Sequence, residues 1–214
     1  DEAEPHLREA LALQIDIHGG DHPDVARSQR NLCRLLYEMH RLEEAEQVCG
    51  DALAMSRRLF KPPHEELATD LNNFGAISRS LGRPDDAERL LDEALAMRRE
   101  LDGERELEIA ETLTNLGNVH RVRSDWPRAE AAVREALRLR RLRLAADHPL
   151  VCQSIHNLSV MLANRQEFDE AIVMLADLIE TARARMGPDH PDLGHYLNTL
   201  GNIHFMQRDY QAAE

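Results

Sequence analysis

Apolar residues recur along this chain in two alternating stripes. Behind Pro23, the residues Leu32, Leu35, Leu36 and Met39 sit at helical spacing. After a break near His40, a second stripe holds Ala45, Cys49, Ala52 and Leu53. Steps of three and four place such residues on one face of a helix, so the pattern predicts a helix from about Pro23 to Met39 and a second helix behind it. The break recurs at Gly82. Second helices open with Pro84-Asp85-Asp86-Ala87 or Pro127-Arg128-Ala129-Glu130. Proline suits the first turn, where its missing N–H is not needed, and acids there favour the helix dipole.

The two-helix pattern repeats with a fixed step of 42 residues, as in Ala3-Glu4, Ala45-Glu46, Ala87-Glu88, Ala129-Glu130, Ala171-Ile172 and Ala213-Glu214. Ala10-Leu11, Ala52-Leu53, Ala94-Leu95 and Ala136-Leu137 keep the same step, as do Asn31-Leu32, Asn73-Phe74, Asn115-Leu116 and Asn157-Leu158. His22-Pro23, His148-Pro149 and His190-Pro191 mark one boundary, with His64 in register. A regular period of this size is the mark of a solenoid, in which each unit buries its apolar face only against its neighbours. The expected copies are 1–20 (second helix only), 21–61, 62–103, 104–145, 146–187 and 188–214 (incomplete), together one array over residues 1–214.

These residues resemble the tetratricopeptide repeat. Gly117, Ala129 and Ala136 fall at that family's small-residue positions, with Leu116 and Val133 at the large ones between, and Asn115-Leu116-Gly117-Asn118 is close to its consensus. The usual repeat has about 34 residues, so each unit here is about two helical turns longer. The long form is similar to that of kinesin light chain and of bacterial regulators carrying such arrays. The resemblance implies an all-α, right-handed superhelical solenoid of antiparallel helix pairs with the first helix of each pair on the concave face. A HEAT or armadillo solenoid of 40–47-residue repeats is the competing fold, disfavoured by the recurrent small residues. Nine full helices are expected, with a tenth beginning at the carboxy terminus.

Composition sharpens this picture in three ways. The formal net charge of −13 opposes nucleic-acid or anionic-membrane binding, and no apolar run reaches the length of a membrane span. Only Lys61 among the basic residues is not Arg, which reads first as a genomic bias. The odd cysteine count (Cys33, Cys49, Cys152) argues against a disulfide framework and for a reducing, cytoplasmic compartment, with Cys33 and Cys49 as inert core thiols. The chain lacks an initiator Met and ends within a repeat, so it reads as part of something longer. With unpaired elements at both ends, Leu7, Leu11, Leu200 and Ile203 are expected to be partly exposed, which would permit head-to-tail self-association.

No catalytic motif is present: there is no G-x-S-x-G, no phosphate-binding glycine loop and no H-E-x-x-H, so the chain does not read as an enzyme and implies no cofactor. The boundary histidines His22, His64, His148 and His190 read as structural, and His120 and His204 as hydrogen-bonded interior residues. His156 and His195 are placed to face each other across neighbouring first helices without a third ligand, so no metal site is expected.

The candidate binding face is the side of each first helix opposite the core. Helical spacing assigns it Arg27, Arg30, Asn31 and Arg34 in the first full copy, Asn72, Asn73 and Arg79 in the second, and Asn115, Asn118 and Arg121 in the third. His156 and Asn157 follow in the fourth copy, and Asn198 and Asn202 in the fifth, beside the apolar Val160, Phe205 and Met206. Its arginines face only Glu38 and Glu111, so the surface is locally basic on an acidic chain. Asn both donates and accepts, and can pair with a peptide backbone. The expectation is a protein-interaction module that holds an extended, acidic peptide. The alternative is a regulatory sensor or scaffold arm that controls an enzyme domain encoded elsewhere.

Overall fold

The computed structural model describes residues 2–187 and 191–213. Among them every regular element is an α-helix and there is no strand. The chain forms two compact units, Asp1–Arg105 and Glu106–Glu214. The first holds α1 (Ala3–His18), α2 (Pro23–Glu38), α3 (Leu42–Leu59), α4 (Glu65–Ser80) and α5 (Pro84–Glu100). The second holds α6 (Glu106–Val122), α7 (Trp126–Arg143), α8 (Pro149–Asn164), α9 (Phe168–Met186) and α10 (Pro191–Ala213). Within each unit every helix packs against the next in sequence.

Each helix pair is closed by the same turn. His40, Gly82, Ser124 and Gln166, one period apart, all adopt left-handed backbone with φ of 58°, 74°, 58° and 68°. The following N–H reaches back to the last turn of the first helix, from Arg41 to the Leu36 carbonyl and from Arg83, Asp125 and Glu167 to Ser78, His120 and Leu162. This is the Schellman closure, which satisfies carbonyls that a helix end would orphan. The boundary histidines have a capping role. His22, His64 and His148 each accept, through Nδ1 at 3.2 Å, the backbone N–H two residues on. His190 lies outside the described residues.

The small-residue positions mark where paired helices come closest. A methyl group added to Gly75 would stand 2.7 Å from Leu91 Cγ, and one added to Gly117 would stand 2.7 Å from Val133 Cγ2. Ala45, Ala87 and Ala129 are fully buried one period apart. Cys33 and Cys49 occupy the same pair of positions as Gly75 with Leu91, and here the contact is covalent: a disulfide joins α2 to α3, with the Cα atoms 5.4 Å apart. This overturns the expectation of two inert thiols. Residue parity was a poor guide because the cysteines are placed by the repeat at its closest approach. The cysteine count therefore carries no argument for a reducing compartment. Cys152 is buried and takes no part in this bridge.

Other expectations are also revised. Ten helices lie among the described residues, and α10 runs unbroken through Arg208, where each earlier copy turns. Leu7, Leu11 and Leu200 are partly exposed as expected, but Ile203 is buried, and the large apolar side chains most exposed on α1 are Leu13, Ile15 and Ile17. His120 is interior, but His204 is exposed.

Arginines tie successive second helices together across the repeat. Arg41 reaches Glu4 and Arg8 reaches Glu44 between α1 and α3, Arg57 reaches Glu93 from α3 to α5, Arg83 at the start of α5 reaches back to Glu46 on α3, and Arg134 on α7 reaches Glu170 on α9. The long guanidinium stem suits gaps too wide for direct packing. First helices instead pack directly, α2 on α4 and α8 on α10, so they form the tighter side of each unit. The arginine content is thus spent largely on the architecture.

Candidate peptide-binding faces

In the amino-terminal unit, α2 presents one open stripe: Arg27, Asn31, Arg34 and Glu38 are all exposed and follow one another at helical spacing. Arg27 lies 3.3 Å from Asp24 Oδ1. Arg34 makes no ion pair or hydrogen bond among the described residues, although Arg8, Arg41, Arg57, Arg58 and Arg83 of the same unit all have carboxylate partners.

Two residues expected on this face lie beneath it. Arg30 inserts between α2 and α4, where its guanidinium donates to both carboxylate oxygens of Asp70, Nε to Oδ1 at 2.5 Å and Nη2 to Oδ2 at 3.0 Å. Asp70 is 2% exposed and also accepts from Ser56 Oγ on α3. The same register supports a second lock in the other unit, where Arg140 on α7 donates to Ser154 on α8. Asn72, one period after Arg30, is likewise 2% exposed. Neither side chain is free to meet a ligand, and the expectation for both is corrected. Counting charges by helical face missed Asp70. The signal was an acid at a register position that holds Ser28, Thr112 and Ser154 in other copies.

Arg79 on α4 is half-buried. Its Nη2 donates to Tyr37 Oη at 3.2 Å, and that hydroxyl lies 3.2 Å from Ser80 Oγ. Asn73 is half-buried beside them. In this unit the open polar stripe of α2 is therefore accompanied by half-buried polar side chains on α4.

In the carboxy-terminal unit, Asn115 and Asn118 are half-buried on α6 and Arg121 is exposed at its end. Arg121 has no partner among the described residues. Asn198 and Asn202 are exposed on α10, next to Phe205 at 66% and Met206 at 40%. Between α8 and α10 lies a cavity of about 440 Å³ lined by Gln153, His156, Asn157, Arg185, His195 and Tyr196, among others. The His156 and His195 rings lie 4.6 Å apart. His156 Nε2 is 3.0 Å from Thr199 Oγ1, which itself donates to the His195 carbonyl, so the imidazole N–H is the donor. Tyr196 and Arg185 were not legible as lining residues, because they come from core and second-helix positions.

Burial, reinforced by His195, holds the His156 imidazole below its ordinary value, while a hydrogen bond with Asn157 pulls it partly back. The neutral ring is favoured in the folded state. As pH falls below about 6.5, the unfolded chain takes up this proton first, so stability is lost on acidification until the depressed folded value is passed. An NMR titration of the His156 ring should show a midpoint below about 6.5, and H156Q should flatten the acid limb of the unfolding curve of this unit. A midpoint at or above the ordinary value would contradict this electrostatic reading.

Helix pairs recurring every 42 residues define the chain as a helical-repeat protein. The family model for the tetratricopeptide repeat matches residues 1–48, 24–100, 108–184 and 152–214. The chain belongs to the tetratricopeptide repeat family, a class of protein–protein interaction scaffolds. No curated protein sequence matches it. Similar solved structures include the nearly identical TPR-like repeats of a kinesin light chain-type protein from Podosopora anserina (16% identity, TM-score 0.78, covering 91% of this chain and 92% of that one). BtubC (BKLC) from P. vanneervenii is also similar (20%, 0.79, covering 98% and 85%), as is the apo form of RapI (14%, 0.71, covering 88% and 66%). At these identities the likeness is one of fold. No helix is long and apolar enough to cross a membrane among the described residues.

Proposed function

We propose that the chain is a protein-interaction module whose amino-terminal unit holds an acidic, extended peptide segment on the exposed stripe of α2. The observation that carries this reading is Arg34, an exposed guanidinium with no partner among the described residues, flanked by Asn31 and Arg27. Arg offers planar donors matched to carboxylates, and Asn can hold the peptide backbone. The carboxy-terminal unit takes uncharged or apolar segments, supported by Phe205, Met206, the α8–α10 cavity and its polar lining. On the first helices of that unit, the exposed Arg121 is suited to a carboxylate.

A displayed peptide library selected on the whole chain tests this. Acidic sequences should be enriched, and R34A should weaken the selected peptide about tenfold or more, since a charge-assisted hydrogen bond contributes roughly 1.5–3 kcal/mol. N31A should weaken it less and leave the salt response nearly unchanged. Enrichment of basic peptides, or indifference to R34A, would overturn the reading.

A further inference from the structure

We infer that the first repeat junction, where α1 hands over to α2, is a binding site for a divalent transition metal ion of the zinc class. His18 at the end of α1, His22 at the cap of α2 and Asp24 in its first turn bring their donor atoms within 4.8 Å of one another. No other group of three or more such side chains among the described residues does so. His18 Nε2 lies 3.7 Å and His22 Nδ1 3.6 Å from Asp24 Oδ2. A tetrahedral ion with ligands at about 2.0–2.2 Å sets its donors about 3.4 Å apart, so two of the three spacings are already close to those required. Two imidazoles and a carboxylate form a borderline donor set that suits Zn²⁺ and leaves a fourth position for water.

The repeat supplies its own comparison. The second junction has the same geometry, with Phe60 stacked on His64 at 3.9 Å as His18 is stacked on His22 at 3.5 Å. An aromatic ring thus stacks on the boundary histidine at both junctions, and Phe60 does so without a donor atom. At the junction of His148 the equivalent residues are Leu144 and Leu150. Of these three junctions, only the first carries a nitrogen donor at the stacking position and an acid beside it. The surrounding charges keep that acid oriented: Arg27 Nη1 holds Asp24 Oδ1, leaving Oδ2 towards the imidazoles, while Arg58 is occupied by Asp21.

Closing the set requires two changes. The rings must tilt out of their stack, which side chains 25% and 38% exposed can do. His22 Nδ1 must exchange its capping hydrogen bond from Asp24 N–H for the coordinate bond. The ion would then fasten the end of α1 to the start of α2 across the Gly19-Gly20 turn.

The test titrates zinc sulfate into the whole chain against a chromophoric chelator, with thermal denaturation to confirm folding. Wild type should bind one equivalent. H18F, which installs the ring of the second junction, should weaken it about tenfold or more, because outer-shell changes alone cost 10–100-fold in other sites. D24N should do the same. F60H, which places a nitrogen donor beside His64 and Glu66, should add a second equivalent. Zinc binding by H18F and D24N equal to that of wild type, or no zinc binding by wild type, would overturn the inference.

Discussion

Replacing Arg30 with Ala should destabilise the amino-terminal unit by about 3–5 kcal/mol in urea unfolding. The reason is what the substitution leaves behind. Asp70 is 2% exposed and its charge is compensated by a guanidinium that bonds both oxygens. Without Arg30, Ser56 alone among the described residues remains to bond the carboxylate. Removing both charges should be far milder: R30M together with D70L replaces the pair by apolar groups and should unfold close to wild type, since a buried ion pair gains little over good packing once its desolvation is counted. A loss of under 1 kcal/mol for R30A would show that Asp70 is not held by this pair.

Reducing the Cys33–Cys49 disulfide should lower the stability of the same unit by about 3 kcal/mol, because the bridge closes a loop of 16 residues in the unfolded chain. C33A/C49A should behave like the reduced protein, and dithiothreitol should not change it further. The carboxy-terminal unit should be unaffected, as both bridged cysteines lie in the amino-terminal one. Equal urea midpoints for the oxidised and reduced chains would contradict the role given to this bridge.

Both effects arise from features that a face-by-face reading of the sequence could not resolve. The fold was legible because periodicity reports burial directly: Ala45, Ala87 and Ala129 recur at one depth, and the turn at His40 recurs at Gly82, Ser124 and Gln166 whatever residue stands there. The capping histidines were legible as boundary markers. Depth within a polar stripe was not. Arg30 and Arg34 are one turn apart on α2, yet one is spent on a buried carboxylate from α4 and the other is open. That difference depends on which residue the neighbouring copy presents at Asp70, a pairing across 40 positions that helical spacing does not contain. Asn72 was misjudged for the same reason. The turn missing at Arg208 shows the converse limit, since a local pattern alone did not break α10.

The central claim is that the open arginine of α2, and not the buried one, reads an acidic ligand. The most direct measurement is the salt dependence of affinity for a library-selected acidic peptide, compared between wild type and R34A. Wild-type binding should weaken steeply with rising salt, as expected of an exposed charge contact. R34A should bind about tenfold or more weakly at low salt, with a flatter slope, while unfolding like wild type. Identical slopes and affinities for the two proteins would contradict the claim.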